Sequence, residues 1–350
     1  RWGEGRKADA GRAAAQAILA GVVISVVLGV AGALAAPSLL RLMGAEPEVI
    51  VEGANYTRIM TGGMVTIMLL FLINAAFRGA GDASIAMRSL WLANAVNLIL
   101  DPCLIFGLGP FPELGLTGAA VATNLGRGTG VLFQLWTLTR RSERLHSGGA
   151  DFRPDVPVIR NLMRVSWGGI GQYLVATASW IGLIRILAVF GSTILAGYVI
   201  AVRVIVFAIL PAWGLSNAAA TLVGQNLGAR QPDRAERSVW ITGWYNMAFL
   251  GGVAIVFITM ARHIVGIFTT DPAIVPNAVN CFRIISYGYV FYAWEMVMVQ
   301  AFNGAGDTWT PTRINFGCFW LFQIPVAWLL ARTLGLGPNG VYWAVALSYS

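Results

Sequence analysis

Long stretches of apolar residues without a charged side chain alternate with short polar segments along this chain. Uncharged runs extend over 13–40, 59–77, 165–184, 204–229, 238–261 and 314–331. Each reaches or approaches the roughly 20 residues that an α-helix needs to cross the hydrocarbon core of a membrane. A barrel strand would alternate polar and apolar residues over about ten positions, and these runs do not. The pattern predicts an all-α polytopic membrane protein.

Turn residues and charge clusters divide the chain into ten predicted helices. They cover 13–40, 50–77, 85–107, 116–139, 159–190, 193–221, 237–261, 275–302, 311–333 and a last helix that begins near 341. Most connections are short, but 140–157 is polar and rich in Gly, Pro and charge, which is typical of a linker. We therefore predict an N-terminal lobe at 1–147 and a C-terminal lobe at 148–350.

Composition and charge support a membrane location. Hydrophobic residues make up 57% of the chain and charged residues 11%, whereas soluble domains carry about a quarter charged residues. The net charge of +8 does not indicate nucleic acid as a partner, because the basic residues lie in loops rather than along one face. Sixteen basic residues occupy one set of alternate loops and only Arg41, Arg262 and Arg332 the other, which predicts the cytoplasmic side of an inner membrane for the first set.

An internal repeat relates the two predicted lobes. A shift of 225 residues aligns 47–88 with 272–313 at thirteen identical positions without a gap, including the loops RGAGD at 78–82 and NGAGD at 303–307. Both loops lie on the basic side, so we expect a parallel repeat of two six-helix lobes. The register further predicts two helices before Arg1 and the end of a final helix after Ser350. The chain would then hold the third to sixth helices of one lobe and the seventh to twelfth of the other.

Two acidic residues, Asp101 and Glu295, lie within predicted membrane spans. A charge in the bilayer is costly, so such residues are functional candidates, although pairing with a buried arginine is a structural alternative. In the repeat alignment Asp101 corresponds to Val326, and Glu295 corresponds to Leu70. A group needed only to build the six-helix fold should occur in both copies, and neither acid does.

The residues around Asp101 suggest a cation site. Asn97 and Asp101 are four residues apart and share one helix face, and Thr123 follows in the next predicted helix. Oxygen ligands of this kind suit Na⁺, and a carboxylate can also carry a proton. A hydrogen bond from Asn97 to a neighbour, or from Thr123 to its own backbone, is the structural alternative.

The residues around Glu295 suggest a substrate cavity. Tyr292, Met296 and Gln300 lie near Glu295 along the same predicted helix, and Met and aromatic side chains make adaptable walls. A carboxylate among them would suit flat cationic compounds. Packing against neighbouring helices is the alternative for the Met and aromatic residues.

Enzymatic chemistry has little support in this sequence. The Gly-rich loops lack the Lys-Ser/Thr pair of a P-loop. His146 and His263 are more than a hundred residues apart, and no metal-site spacing or nucleophile-base pair is present. We predict no enzyme activity, no cofactor and no metal site beyond Na⁺ at Asp101. Cys103, Cys281 and Cys318 lie in or beside apolar runs and indicate no disulfide framework.

The run FRGAGDASIAMRSLWLANAVNLILDPCLIFGLGPFPELGLTGAAVAT, together with VGQNLGARQPDRAERSVW and VQAFNGAGDTWTPT, resembles the multidrug and toxic compound extrusion (MATE) transporters. The resemblance covers essentially the whole chain. It implies twelve helices in two lobes and an antiporter that couples H⁺ or Na⁺ entry to export of cationic, amphipathic compounds by alternating access.

The resemblance also implies residue roles. The family's N-lobe cation site corresponds to Asn97, Asp101 and Thr123, with a further Asp from a first helix that would precede Arg1. The family's acid on the seventh helix has no counterpart in 165–184, and Glu295 lies about a turn from the family's acid on the tenth helix. The expected partners are a small-molecule substrate and membrane lipid, with the monomer as the functional unit. A lipid-linked oligosaccharide flippase of the same superfamily is the alternative. Its phosphate groups would need a more cationic cavity, so Arg185 and Arg203 in the cavity lining would favour it.

Overall fold

A computed structural model describes residues 3–140 and 149–349 of the chain. Throughout this part the regular structure is helical, without β-strands. The α-helices are α1 Lys7–Leu42, α2 Pro47–Gly62, α3 Met64–Gly79, α4 Ala83–Phe106, α5 Gly115–Arg140, α6 Val156–Ala188, α7 Ser192–Gly228, α8 Pro232–Phe268, α9 Val275–Tyr287, α10 Tyr289–Ala305, α11 Trp309–Phe316, α12 Ile324–Trp328 and α13 Pro338–Ser348. The protein is an all-α polytopic membrane protein.

Three pairs of these helices follow each other almost without interruption. Gly63 alone separates α2 from α3, and Gly288 alone separates α9 from α10. The π-helical segment Gly317–Gln323 joins α11 to α12, and a second one, Leu329–Thr333, follows α12. The described residues therefore form ten helical rods where ten helices were predicted. The predicted helices over 50–77 and 275–302 are each interrupted at the glycine that the repeat aligns, Gly63 or Gly288.

Seven helical segments of the described residues are long and apolar enough to cross a membrane. They are Lys7–Leu42, Pro47–Gly79, Ala83–Phe106, Val156–Ala188, Ser192–Gly228, Pro232–Phe268 and Trp309–Thr333. The break at Gly288 leaves α9 and α10 with 13 and 17 residues, and α13 has 11, so none of these alone has the length of a span.

The chain forms two compact units, Arg1–Leu162 and Met163–Ser350. This division lies within α6, later than the boundary predicted at 147/148. Part of the predicted linker, 141–148, lies outside the described residues. The remainder packs with the first unit, because the buried Gln16 of α1 donates hydrogen bonds to the carbonyl oxygens of Asp151 and Arg153.

Each unit has its own apolar core. In the first unit, Ile73, Phe77 and Leu138 are fully buried where α3 packs against α5. In the second, Leu250, Phe282 and other apolar side chains of α7 to α10 and α13 form a larger core. Many other apolar residues remain exposed, as expected of side chains that face lipid.

The two GAGD loops form equivalent turns, as the repeat predicted. Gly81 and Gly306 have φ values of 80° and 86°, a region that glycine occupies without strain. Asp82 accepts a hydrogen bond from the Ile85 N–H at the start of α4. Asp307 likewise accepts one from the Thr310 N–H at the start of α11. In both loops the aspartate caps the helix that follows.

Candidate cation and substrate sites

Glycines on α5 allow an unusually close approach to α4. A Cβ atom on Gly126 would lie 2.6 Å from the Ala93 carbonyl oxygen and 3.0 Å from the Asn97 Cβ. A Cβ on Gly118 would lie 2.3 Å from the Leu104 carbonyl oxygen. The backbone of α5 therefore packs directly on α4 along the face that carries Asn97.

This close approach brings two of the three predicted cation ligands together. The Asn97 side-chain amide donates a hydrogen bond of 3.5 Å to the Thr123 hydroxyl. Asp101 follows one turn later on α4, and its Oδ1 is buried without a hydrogen-bond partner among the described residues. The next residue, Pro102, lies inside α4 and has no N–H, so the Leu98 carbonyl cannot accept the usual helical bond.

This stretch of the α4–α5 pair therefore carries a hydrogen-bonded amide and hydroxyl, a carboxylate oxygen without a partner among the described residues, and a backbone carbonyl without its usual helical donor. An unpartnered carboxylate oxygen that is removed from water gains stability when a proton or a hard cation binds it. The hydroxyl of Thr123 and the backbone oxygen of Leu98 are further oxygens of the type that Na⁺ takes.

A cavity of about 600 Å³ lies in the second unit among α6, α7, α10 and α11. Its lining includes all four predicted cavity residues, namely Tyr292, Glu295, Met296 and Gln300. Glu295 is the one acidic side chain among the lining residues, and it forms no ion pair with any residue that the structure describes. The other lining residues are Val165, Ser166, Gly169, Gln172, Tyr173, Ala176, Val206, Ile209, Leu210, Trp213, Ser216, Val299, Asn303, Thr308 and Asn315.

Three side-chain amides in the cavity lining are linked by hydrogen bonds. Gln172 on α6 donates hydrogen bonds to Asn303 Oδ1 at 2.9 Å and to the Thr308 carbonyl at 3.0 Å. Asn303 in turn donates to Gln300 Oε1 at 3.5 Å. The amides link α6 to the second GAGD turn and present neutral donors and acceptors, while Glu295 contributes a carboxyl group.

Sequence reasoning missed several residues of this cavity. Gln172, Trp213 and Asn303 were not predicted, and they come from three different helices. A weak signal existed for Gln172, because it is a polar residue within the uncharged run at 165–184. The repeat aligns Asn303 with Arg78, so the second copy has a neutral amide in the cavity lining where the first copy has a basic residue.

Comparison with known proteins identifies the family. The sequence model of the MatE family matches residues 1–103 and 170–329. The chain is 29% identical over 299 residues to a probable multidrug resistance protein NorM of Thermotoga maritima, covering 85% of this chain and 64% of that protein. It is 28% identical over 324 residues to a probable multidrug resistance protein YoeA of Bacillus subtilis, covering 91% of this chain and 70% of that protein. The chain thus spans about two thirds of the length of these relatives.

The fold matches a solved transporter. A MOP-superfamily transporter from Pyrococcus furiosus superposes with a TM-score of 0.92 over 99% of this chain and 77% of its own, at 23% sequence identity. At that identity the likeness concerns the fold alone.

Proposed function

The chain belongs to the MatE family, and from that premise we propose that the protein is a cation-coupled antiporter that exports cationic, amphipathic compounds by alternating access. The observation that carries the proposal is the unpartnered, buried carboxylate oxygen of Asp101 beside the Asn97–Thr123 pair. Binding of H⁺ or Na⁺ at this carboxylate would neutralise it. Coupling requires that the ion bind one conformational state more tightly than the other.

The cavity supports the substrate class. Its single carboxylate, Glu295, attracts a cation, and Tyr173, Trp213 and Tyr292 offer aromatic faces for a flat ring system. A volume of about 600 Å³ falls within the range of small-molecule sites. The proposed partners are a small-molecule substrate and membrane lipid, and the proposed unit of function is the monomer.

A lipid-linked oligosaccharide flippase has less support. Its phosphate groups would favour a cavity lined with arginine. Arg185 and Arg203 are both exposed, and neither lines this cavity, which contains Glu295 instead.

The chain's relatives are transporters, and we propose no enzymatic step, no cofactor and no metal beyond the coupling ion. We place the protein in the cytoplasmic membrane of a bacterium. In that orientation the GAGD loops and the linker at 140–157 face the cytoplasm, because the basic residues cluster there.

The test is dye efflux by the intact protein in proteoliposomes under separate H⁺ and Na⁺ gradients. We expect efflux of a cationic dye under one of the two gradients. Asp101→Asn should abolish gradient-driven efflux while the protein still inserts. Asp271→Asn, which removes a carboxylate from a loop, is the matched control and should transport normally. Undiminished gradient-driven efflux in the Asp101 variant would refute the proposal.

A further inference from the structure

The break between α2 and α3 has a built-in polar contact. Asn124 of α5 donates a hydrogen bond of 3.0 Å to the Ile59 carbonyl on α2, and its Oδ1 accepts one of 3.1 Å from the Thr66 hydroxyl on α3. A Cβ atom on Gly63 would lie 2.0 Å from Asn124 Oδ1. The amide therefore occupies the space that a side chain at the break would need, and it joins the two halves of the broken helix.

The second copy of the repeat has the same break without this contact. Gly288 interrupts α9 and α10 at the aligned position, and a Cβ there would lie 2.9 Å from the Ala346 carbonyl oxygen. Gly118 aligns with Gly340, and the same shift aligns Asn124 with Ala346. The break and its packing partner recur in both units, so the backbone arrangement needs no amide. The amide is specific to the copy that contains Asp101.

Asn124 directly follows Thr123 on α5. Successive residues of an α-helix point about 100° apart, so the two side chains face different neighbours. Thr123 contacts Asn97 on α4, whereas Asn124 contacts the α2–α3 break. The close packing of Gly118 and Gly126 on α4 already restrains the rotation of α5 about its own axis, and the Asn124 contacts add a polar anchor on a different face. That rotation decides whether the Thr123 hydroxyl points at the face of Asn97 and Asp101.

From this geometry we propose that Asn124 is a positioning residue of the cation site, which holds the Thr123 hydroxyl toward Asn97 and Asp101 by anchoring α5 to the α2–α3 break. The inference rests on the proposed function of Asp101 as the ion-binding carboxylate. Asn124 contacts neither Asn97 nor Asp101 in the described hydrogen bonds and acts through Thr123. It also links the ion site to the one point where the α2–α3 rod is broken.

The experiment measures the dependence of dye efflux on the concentration of the coupling cation in proteoliposomes that contain the intact protein. Asn124→Ala should raise the half-saturating cation concentration about tenfold, the lower range for loss of a group that orients a metal ligand. The maximal rate at saturating cation should stay close to that of the wild type. A cation dependence equal to that of the wild type would overturn the proposal.

A second variant separates positioning from packing. Asn124→Ala combined with Gly63→Ala refills the vacated space with a methyl group but restores neither hydrogen bond. If the amide acts only by filling space, the double variant should regain the wild-type cation dependence, which would overturn the proposal. We expect it to insert normally and keep the raised half-saturating concentration. If neither variant inserts, Thr66→Val removes the hydroxyl that donates to Asn124 Oδ1 and to the Gly63 carbonyl, and leaves the Asn124–Ile59 bond in place. A wild-type cation dependence in that variant would overturn the proposal.

The result for Asp101→Asn distinguishes failure of the proposed function from failure of the positioning role of Asn124. If the wild type shows no cation-driven efflux, or if Asp101→Asn transports normally, the proposed function fails. If both behave as proposed while the Asn124 variants match the wild type, only the positioning role fails.

Discussion

The side-chain oxygen of Gln16 accepts a hydrogen bond of 2.8 Å from the backbone N–H of Asp155, 139 residues later in the chain. With its two bonds to the carbonyls of Asp151 and Arg153, this one buried amide satisfies three backbone groups of the segment that leads into α6. Arg12, one turn earlier on α1, adds an ion pair of 2.9 Å to the Asp155 carboxylate. The end of the linker is therefore fixed to α1.

We expect Gln16→Ala to lower the free energy of unfolding by about 2–4 kcal/mol, because it removes three hydrogen bonds that each contribute about 0.5–1.5 kcal/mol. Arg12→Ala is the matched control. It removes a pair whose arginine is 52% exposed, and exposed pairs contribute less than about 1 kcal/mol. Unfolding by SDS in mixed detergent micelles measures the loss of unfolding free energy in both variants. Equal losses in the two variants would contradict the role of the amide.

The close contact between α4 and α5 can be tested by comparing alanine substitutions at two glycines of α5. Gly126→Ala forces a Cβ against the Ala93 carbonyl and should cost about 1–3 kcal/mol in unfolding free energy. Gly128→Ala places its Cβ in open space and should cost nothing. Because Gly126 faces Asn97, its variant should also weaken the dependence of efflux on the coupling cation. Normal stability of Gly126→Ala would show that the two helices separate easily.

Glu295 is expected to select cationic substrates. Glu295→Gln removes the charge and keeps the shape, so the half-saturating concentration of a cationic dye should rise about tenfold, equivalent to about 1.4 kcal/mol. A neutral substrate of similar size should be transported as by the wild type. Glu236→Gln, a change at an exposed carboxylate that accepts a bond from Trp240, serves as the control. An equal loss of transport for the cationic dye and the neutral substrate would indicate a structural role for Glu295.

The cap at the start of α11 should depend on pH. Hydrogen bonds from the Thr310 hydroxyl and N–H hold the pKa of Asp307 below its usual value. A carboxyl whose folded-state pKa is lowered stabilises the fold above its unfolded pKa, which is about 3.9, and loses that contribution as the pH falls through the folded-state value. Asp307→Asn should therefore be less thermally stable than the wild type at pH 7, and the difference should shrink as the pH falls below the unfolded pKa of about 3.9. A constant difference across this range would exclude the carboxylate as the cause.

The repeat predicted more of the fold than the apolar runs alone. Runs of apolar residues indicate where helices lie because the bilayer requires about 20 of them, and ten rods were found where ten helices were predicted. The alignment of RGAGD with NGAGD identified two equivalent capped turns, since each needs glycine at a positive φ and an acid at the helix start. The same alignment shows Gly63 and Gly288 as shared glycines, but it did not predict that each interrupts a helix.

For the sites, the sequence determined which residues share a helix face. The i, i+4 spacing places Asn97 and Asp101 together, and the spacing around Glu295 gathers Tyr292 and Met296 on one helix, because the geometry of an α-helix is the same everywhere. Contacts between helices depend instead on how closely two backbones approach. Only the tertiary structure placed Thr123 against Asn97, brought Gln172 to Asn303, and set the amide of Asn124 into the space beside Gly63.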